Sequence, residues 1–174
     1  MKELQQAEPE LEIRWRAFEL RPEPVPTLDP QGEYLSRAWQ DRVYPLARKM
    51  GIPLKQPPVQ PRSRLAHQAA YWARSQGHFD EYNAAIFRAL FERGEDIGDG
   101  TVLLRLAADT GLNPHNLDAS LLCGEFLEAV LTDERDAGRM GIRGVPSFLA
   151  SPREIVSGVQ PLSGLKELIK RARS

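Results

Sequence analysis

Between Leu11 and Leu20 apolar and polar residues alternate: Leu11, Ile13, Trp15 and Ala17 fall on one side, with Phe18 beside them. A period of two is the pattern of a half-buried strand, and it predicts one over residues 11–20. Residues 2–7 read as the tail of a helix, broken at Glu8-Pro9-Glu10. Prolines crowd residues 22–30 and carry the chain away from the predicted strand as a loop.

The period then lengthens to that of helices. One is predicted over Glu33–Met50, stopped at Gly51-Ile52-Pro53 by a glycine followed by proline. A second follows Pro61, with Ser63 as a candidate N-cap and Leu65, Ala66, Ala69, Ala70 and Ala73 in helical phase as far as Gly77. A third runs from Phe79 to Glu92, with Phe79, Tyr82, Ala85, Ile86, Ala89 and Leu90 on one face. Asp99 opens a shorter one carrying Val102, Leu103, Leu106 and Ala107, stopped at Gly111. Asn113-Pro114 is a cap followed by a first-turn proline. Its helix places Leu117, Leu121, Leu122, Phe126, Ala129 and Val130 at apolar positions, with a break expected at Gly124, and helix continues over residues 125–140.

At residue 146 the period returns to two. Residues 146–150 and 154–157 predict two short strands joined as a hairpin through Ser151-Pro152-Arg153. Leu162–Arg173 predicts a final amphipathic helix with Leu165, Leu168 and Ile169 inward. The expected order is strand, five or more helices, hairpin, helix.

Composition narrows the function classes. With 23 basic and 24 acidic residues the net charge is −1, so no basic excess points to nucleic acid. No apolar run approaches the roughly 20 residues of a membrane helix, and the N-terminus lacks the apolar stretch of a signal peptide. Cys123 is the only cysteine, which excludes an internal disulfide and a cysteine metal cluster, and a reducing cytoplasm is the simplest setting. His67, His78 and His115 are scattered without ligand spacing, so no metal is expected.

Several stretches, taken in order, resemble one family. Trp15-Arg16-Ala17-Phe18-Glu19-Leu20 before the prolines is similar to the second strand of DsbA-type proteins of the FrnE branch. Arg62-Ser63-Arg64-Leu65-Ala66-His67 resembles the start of their inserted helical domain, and Ala89–Asp99 the helix and turn that follow. Gly141-Ile142-Arg143-Gly144-Val145-Pro146-Ser147-Phe148 resembles their cis-proline loop, and Ser157-Gly158-Val159-Gln160-Pro161 the turn into the last helix. The resemblance covers residues 11–174. It implies an α/β thioredoxin-like fold with a large inserted α-helical domain, divided as residues 1–30 and 141–174 against 31–140. It implies thiol–disulfide oxidoreduction on protein or small-molecule thiols. Related 2-hydroxychromene-2-carboxylate isomerases and kappa-class glutathione transferases use glutathione, which makes glutathione the one cofactor in prospect. A peptide-binding module without catalysis is a third reading.

One part of the family pattern is not in these residues. In the family a first strand leads to a Cys-x-x-Cys at a helix N-terminus, where the helix dipole activates the attacking thiol. Here no such pair exists, so no catalytic cysteine is assigned, and the first strand and active-site helix start are expected to be missing ahead of Lys2. The strand at residues 11–20 would then keep an open edge, which a homodimer or other partner could complete. The substrate-binding candidates are Gly144, Val145, Pro146, Ser157 and Gly158. From the residues alone, Val145–Pro146 reads as an ordinary trans bond, since only about 5–6% of X–Pro bonds are cis; the resemblance implies cis. There the Val145 backbone would offer an edge for a bound peptide or glutathione. The resemblance puts the Ser157-Gly158 turn beside the γ-glutamyl group, while the residues alone suggest a turn and a cap. Cys123, after Leu122 on an apolar face, reads as a buried structural thiol. Trp15, Trp39, Tyr71 and Trp72 read as packing, and Arg62, Arg64, Arg139 and Arg143 as solvated surface; Arg143 could also meet a substrate carboxylate.

Overall fold

The computed structural model describes residues 1–173, apart from the Lys2 side chain. In chain order the elements are α1 (Lys2–Ala7), α2 (Glu33–Ala38), a π-turn (Trp39–Val43), α3 (Tyr44–Met50), α4 (Arg64–Ser75), α5 (Phe79–Phe91), α6 (Gly100–Asp109), α7 (Pro114–Cys123), α8 (Leu127–Arg139), β1 (Ser147–Ser151), β2 (Glu154–Ser157) and α9 (Leu162–Arg173). They form two compact units. The first comprises residues 1–20 and 131–174, the second residues 21–130. The divisions thus fall after Leu20 and Val130 rather than after residues 30 and 140.

The second unit is helical, and its core follows the stripes of the sequence. Tyr82, Leu103, Leu106 and Leu117 are fully buried, surrounded by Ala66, Ala69, Ala70, Ala73, Ala85, Ala89 and Ala107. Alanines bury little area each, so the leucines and the tyrosine supply most of the transfer free energy, roughly 2 kcal/mol per large side chain. The small residues let the helix backbones approach: α4 packs on α5, α6 and α7, and α6 on α5 and α7. The caps are local. Asp99 Oδ1 accepts the Thr101 N–H at 2.8 Å, and Asn113 Oδ1 accepts the N–H groups of His115 and Asn116. Ser63 occupies the N-cap position of α4, but its side chain makes no capping bond.

Two expectations for this unit need correction. The helix over Glu33–Met50 is not uniform. Pro45 has no N–H to return to residue 41, and the preceding turn widens, with the Tyr44 N–H reaching the Trp39 carbonyl. Arg62 is not a solvated cation. Its Nη1 donates to the carbonyls of Arg21 at 2.5 Å and Val25 at 2.7 Å, pinning the proline-rich loop that contains the cis Glu23–Pro24 bond.

In the first unit, β1 and β2 pair antiparallel with Ser147 opposite Ser157, Phe148 opposite Val156 and Leu149 opposite Ile155. The register then slips before Ser151 pairs with Glu154, leaving Ala150 as the extra residue of a bulge. Helix α9 packs on both strands and on α1, and Leu4, Leu165 and Ile169 form a small core with Leu11, Ile13, Phe148 and Leu162 against it.

Residues 11–20 do not form a strand. The burial still alternates, with Leu11 and Ile13 half-buried, Ala17 and Glu19 buried and Glu12, Arg14 and Arg16 exposed, although Trp15 is 42% exposed rather than inward. A strand requires a laddered neighbour, and among the described residues the only ladder is β1–β2. A carboxylate supplies part of what a neighbouring strand would. Asp133, 3% exposed on α8, accepts the Ala17 N–H on Oδ2 at 2.7 Å and places Oδ1 2.7 Å from Arg16 Nη1.

Two stability measurements follow. Asp133→Ala removes the acceptor of a buried N–H. The Arg16 guanidinium is 63% exposed and adds little, so the loss is set by the orphaned amide, about 2 kcal/mol. Hydrogen exchange at Ala17 should accelerate in that variant, while Asp133→Asn, which keeps an acceptor, loses less. For Tyr82, whose hydroxyl donates to the Leu103 carbonyl at 2.9 Å, burial pushes the phenol pKa well above its ordinary value. The unfolded phenol ionises near pH 10 while the folded one stays neutral. Its contribution is therefore complete below about pH 10 and falls as pH rises. Tyr82→Phe should cost about 1 kcal/mol at neutral pH and flatten the alkaline decline in urea-unfolding free energy.

Candidate functional site

Helix α8 ends at Arg139 and is followed by a left-handed turn at Gly141, with the Ile142 N–H bonded back to the Ala137 carbonyl. The chain then runs Arg143-Gly144-Val145-Pro146 into β1. The strand begins at Ser147, one residue later than the pattern suggested, because Pro146 brings no N–H to a ladder. The Val145–Pro146 bond is cis.

Two stretches separated in sequence meet here. The Gly158 N–H donates to the Pro146 carbonyl at 2.8 Å. Ser147 Oγ donates to the Gly144 carbonyl at 2.7 Å and lies 2.9 Å from Ser157 Oγ, its cross-strand partner. Gln160 Nε2 donates to the Ser157 carbonyl at 3.0 Å, with the Gly158 carbonyl at 3.4 Å. The five candidate binding residues therefore share one end of the hairpin. Gly144 is half-buried, and Val145, Pro146, Ser157 and Gly158 are exposed. Among the described residues, the N–H and C=O of Val145 take part in no backbone hydrogen bond. The loop thus presents a fixed main-chain donor and acceptor beside two hydroxyls. That arrangement can hold an extended peptide and includes no thiol.

Ser147 was not among the candidate residues. Its signal was available in the predicted hairpin, whose register puts it opposite Ser157. Asp133 was missed too; it occupies the buried stripe Val130, Asp133, Ala137 of α8, and an acid in such a stripe marks a paired polar group.

Cys123 is exposed, which overturns its reading as a buried structural thiol. It is the last residue of α7, with Sγ 3.4 Å from the Ser120 carbonyl, and Leu122 beside it is 81% exposed. Of the histidines, His67 is half-buried and His78 and His115 are exposed. No group of metal-binding side chains occurs among the described residues. No helix among them is long and apolar enough to cross a membrane.

The family model of the DsbA-like thioredoxin domain matches residues 1–170. The chain belongs to the DsbA-like thioredoxin-domain family. Its fold is the α/β, helix-rich thioredoxin-like fold with a helical insertion that the resemblance implied. The protein YwbO of Bacillus subtilis (strain 168) is 34% identical over 115 residues, which cover 64% of this chain and 58% of YwbO, less than two thirds of its length. Two solved structures share the fold. A probable DsbA oxidoreductase of Streptomyces coelicolor superposes with a TM-score of 0.79 at 22% identity, over 99% of this chain and 81% of that one. A 2-hydroxychromene-2-carboxylate isomerase superposes with a TM-score of 0.78 at 20% identity, over 98% and 85%.

Gly158 tests the construction of this loop and turn. Its φ is +83°, and a Cβ added there would meet nothing within 4 Å, so the cost of substitution is conformational. Gly158→Ala should lower stability by about 1–2 kcal/mol, read as a shift in the urea midpoint.

Proposed function

We propose that this chain holds thiol- or disulfide-bearing peptides for DsbA-like thiol–disulfide oxidoreduction, with the reacting cysteine pair outside these 174 residues. The observation that carries the reading is the exposed Val145–Pro146 step, held on its two sides by the Gly158 N–H on the Pro146 carbonyl and the Ser147 hydroxyl on the Gly144 carbonyl. A peptide backbone adds to such an edge as a short strand, pairing with the Val145 N–H and C=O. In the full reaction a thiolate attacks one sulfur of the substrate disulfide and the other sulfur leaves as a thiolate. The mixed disulfide so formed lies alongside this edge. Cys123 has no part in that step. A cytoplasmic setting accords with a chain whose one thiol is exposed.

A glutathione-dependent isomerase or transferase is the second reading. It is favoured by the lack of a Cys-x-x-Cys and by a likeness to the isomerase fold as close as that to the oxidoreductase. Ser157 and Gly158 would then receive the γ-glutamyl end of glutathione.

Two measurements separate these readings. In an insulin-reduction assay with dithiothreitol, the chain should add nothing to the uncatalysed rate; strong catalysis would overturn the assignment of the redox pair to other residues. Amide NMR titration with short cysteine-containing peptides should move Val145, Ser157 and Gly158. Micromolar binding of glutathione without peptide binding would favour the second reading, and no change with either ligand would remove both.

A further inference from the structure

The first unit holds eight arginines, and most are engaged. Arg14 pairs with Glu12, Arg16 with Asp133 and Asp136, Arg139 with Asp136, Arg171 with Glu154 and Arg173 with Glu8. Arg135 donates to the Thr132 hydroxyl. Arg143 and Arg153 are exposed and make neither an ion pair nor a hydrogen bond among the described residues. Arg153 is in the turn that joins β1 to β2, at the opposite end of the hairpin from Ser147 and Ser157. Arg143 is two residues ahead of Val145, at most about 7 Å away along the chain. The nearest acid preceding it in sequence, Asp136, is already shared by Arg16 and Arg139, so it leaves the Arg143 charge uncompensated.

An uncompensated arginine two residues along the chain from an open main-chain edge can set a preference among ligands. The edge pairs with any peptide backbone and does not distinguish sequences, whereas the cation does. We propose that Arg143 is a specificity residue selecting peptides with a carboxylate flanking the segment docked on Val145. The proposal rests on the docking function given above. The acid can be an Asp or Glu side chain or a terminal carboxylate, each of which the planar guanidinium can meet with two parallel N–H donors. Basic peptides are disfavoured by the same charge.

The test uses the whole chain and three short peptides of equal length, with acidic, neutral or basic residues flanking a central S-methylated cysteine. Binding is read from the amide signals of Val145, Ser157 and Gly158. The acidic peptide should bind about three- to fivefold more tightly than the neutral one, the upper part of the range of an exposed ion pair. The preference should shrink between about 0.01 M and about 0.15 M ionic strength, as the screening length falls from about 30 Å to about 8 Å. Arg143→Gln should abolish the preference while leaving the neutral peptide's affinity unchanged. Arg143→Lys should restore part of it, and Arg153→Gln, which removes the same charge from the far end of the hairpin, should preserve it. If no peptide moves these signals, the docking reading itself falls. If peptides bind without charge preference, or if Arg153→Gln erases it as fully as Arg143→Gln, docking stands and the role of Arg143 is overturned.

Discussion

One carboxylate organises the first unit. The stretch at residues 11–20 has no ladder partner among the described residues, and buried backbone N–H groups without partners are costly. Asp133 meets the buried Ala17 N–H with one oxygen and the Arg16 guanidinium with the other. It thereby fastens a segment of strand-like pattern to a helix instead of to a sheet. Because Ala17 and Asp133 are 116 residues apart, the bond also closes the unit across the whole intervening helical unit in sequence. Helix α8, so fixed, runs on through its left-handed Gly141 turn into the Arg143–Pro146 loop. The position of the candidate docking edge within its unit therefore traces back to a buried acid a dozen residues upstream.

The helical unit was legible because its signals are local. Stripes at helical spacing, caps at Asp99 and Asn113 and glycine stops need only a few neighbouring residues to act. The misreadings occur where that logic is stretched. Leu121, Leu122 and Cys123 are consecutive, and consecutive helical residues are about 100° apart, so three in a row cannot all face one core. With Leu117 and Ser120 inward, positions 122 and 123 turn outward, and this exposes both the leucine and the thiol. The π-turn before Pro45 was readable in principle from the missing N–H, while the interior role of Arg62 was not. A cation acceptable on the surface is equally acceptable beneath a loop that offers two carbonyls, and only the folded path of residues 21–25 brings those carbonyls to it.

For the site, composition and periodicity located a hairpin and a following turn, but its chemistry came through a family likeness. Periodicity reports which face is buried and cannot report which main-chain groups remain unpaired. The alternation of residues 11–20 shows the difference: the burial pattern largely survives in the structure while the strand it suggested does not form. Ser147 belongs to an intermediate case. Its polarity is unremarkable in sequence, yet opposite Ser157 it becomes the link between the loop and the turn.

The chemistry of the site also bears on what a chain without a cysteine pair can still do. Sulfur exchange and substrate docking make different demands. Exchange needs a thiolate stabilised at a helix start. Docking needs a fixed N–H and C=O, supported so that a peptide can pair with them without first ordering the loop. In this chain the bonds that brace the loop are the Gly158 N–H on the Pro146 carbonyl, the Ser147 hydroxyl on the Gly144 carbonyl, and Gln160 Nε2 on the Ser157 carbonyl. None of these bonds involves a sulfur atom. The geometry of the Val145 edge is therefore set by main-chain, hydroxyl and amide groups alone, so its support is independent of any thiol in the chain.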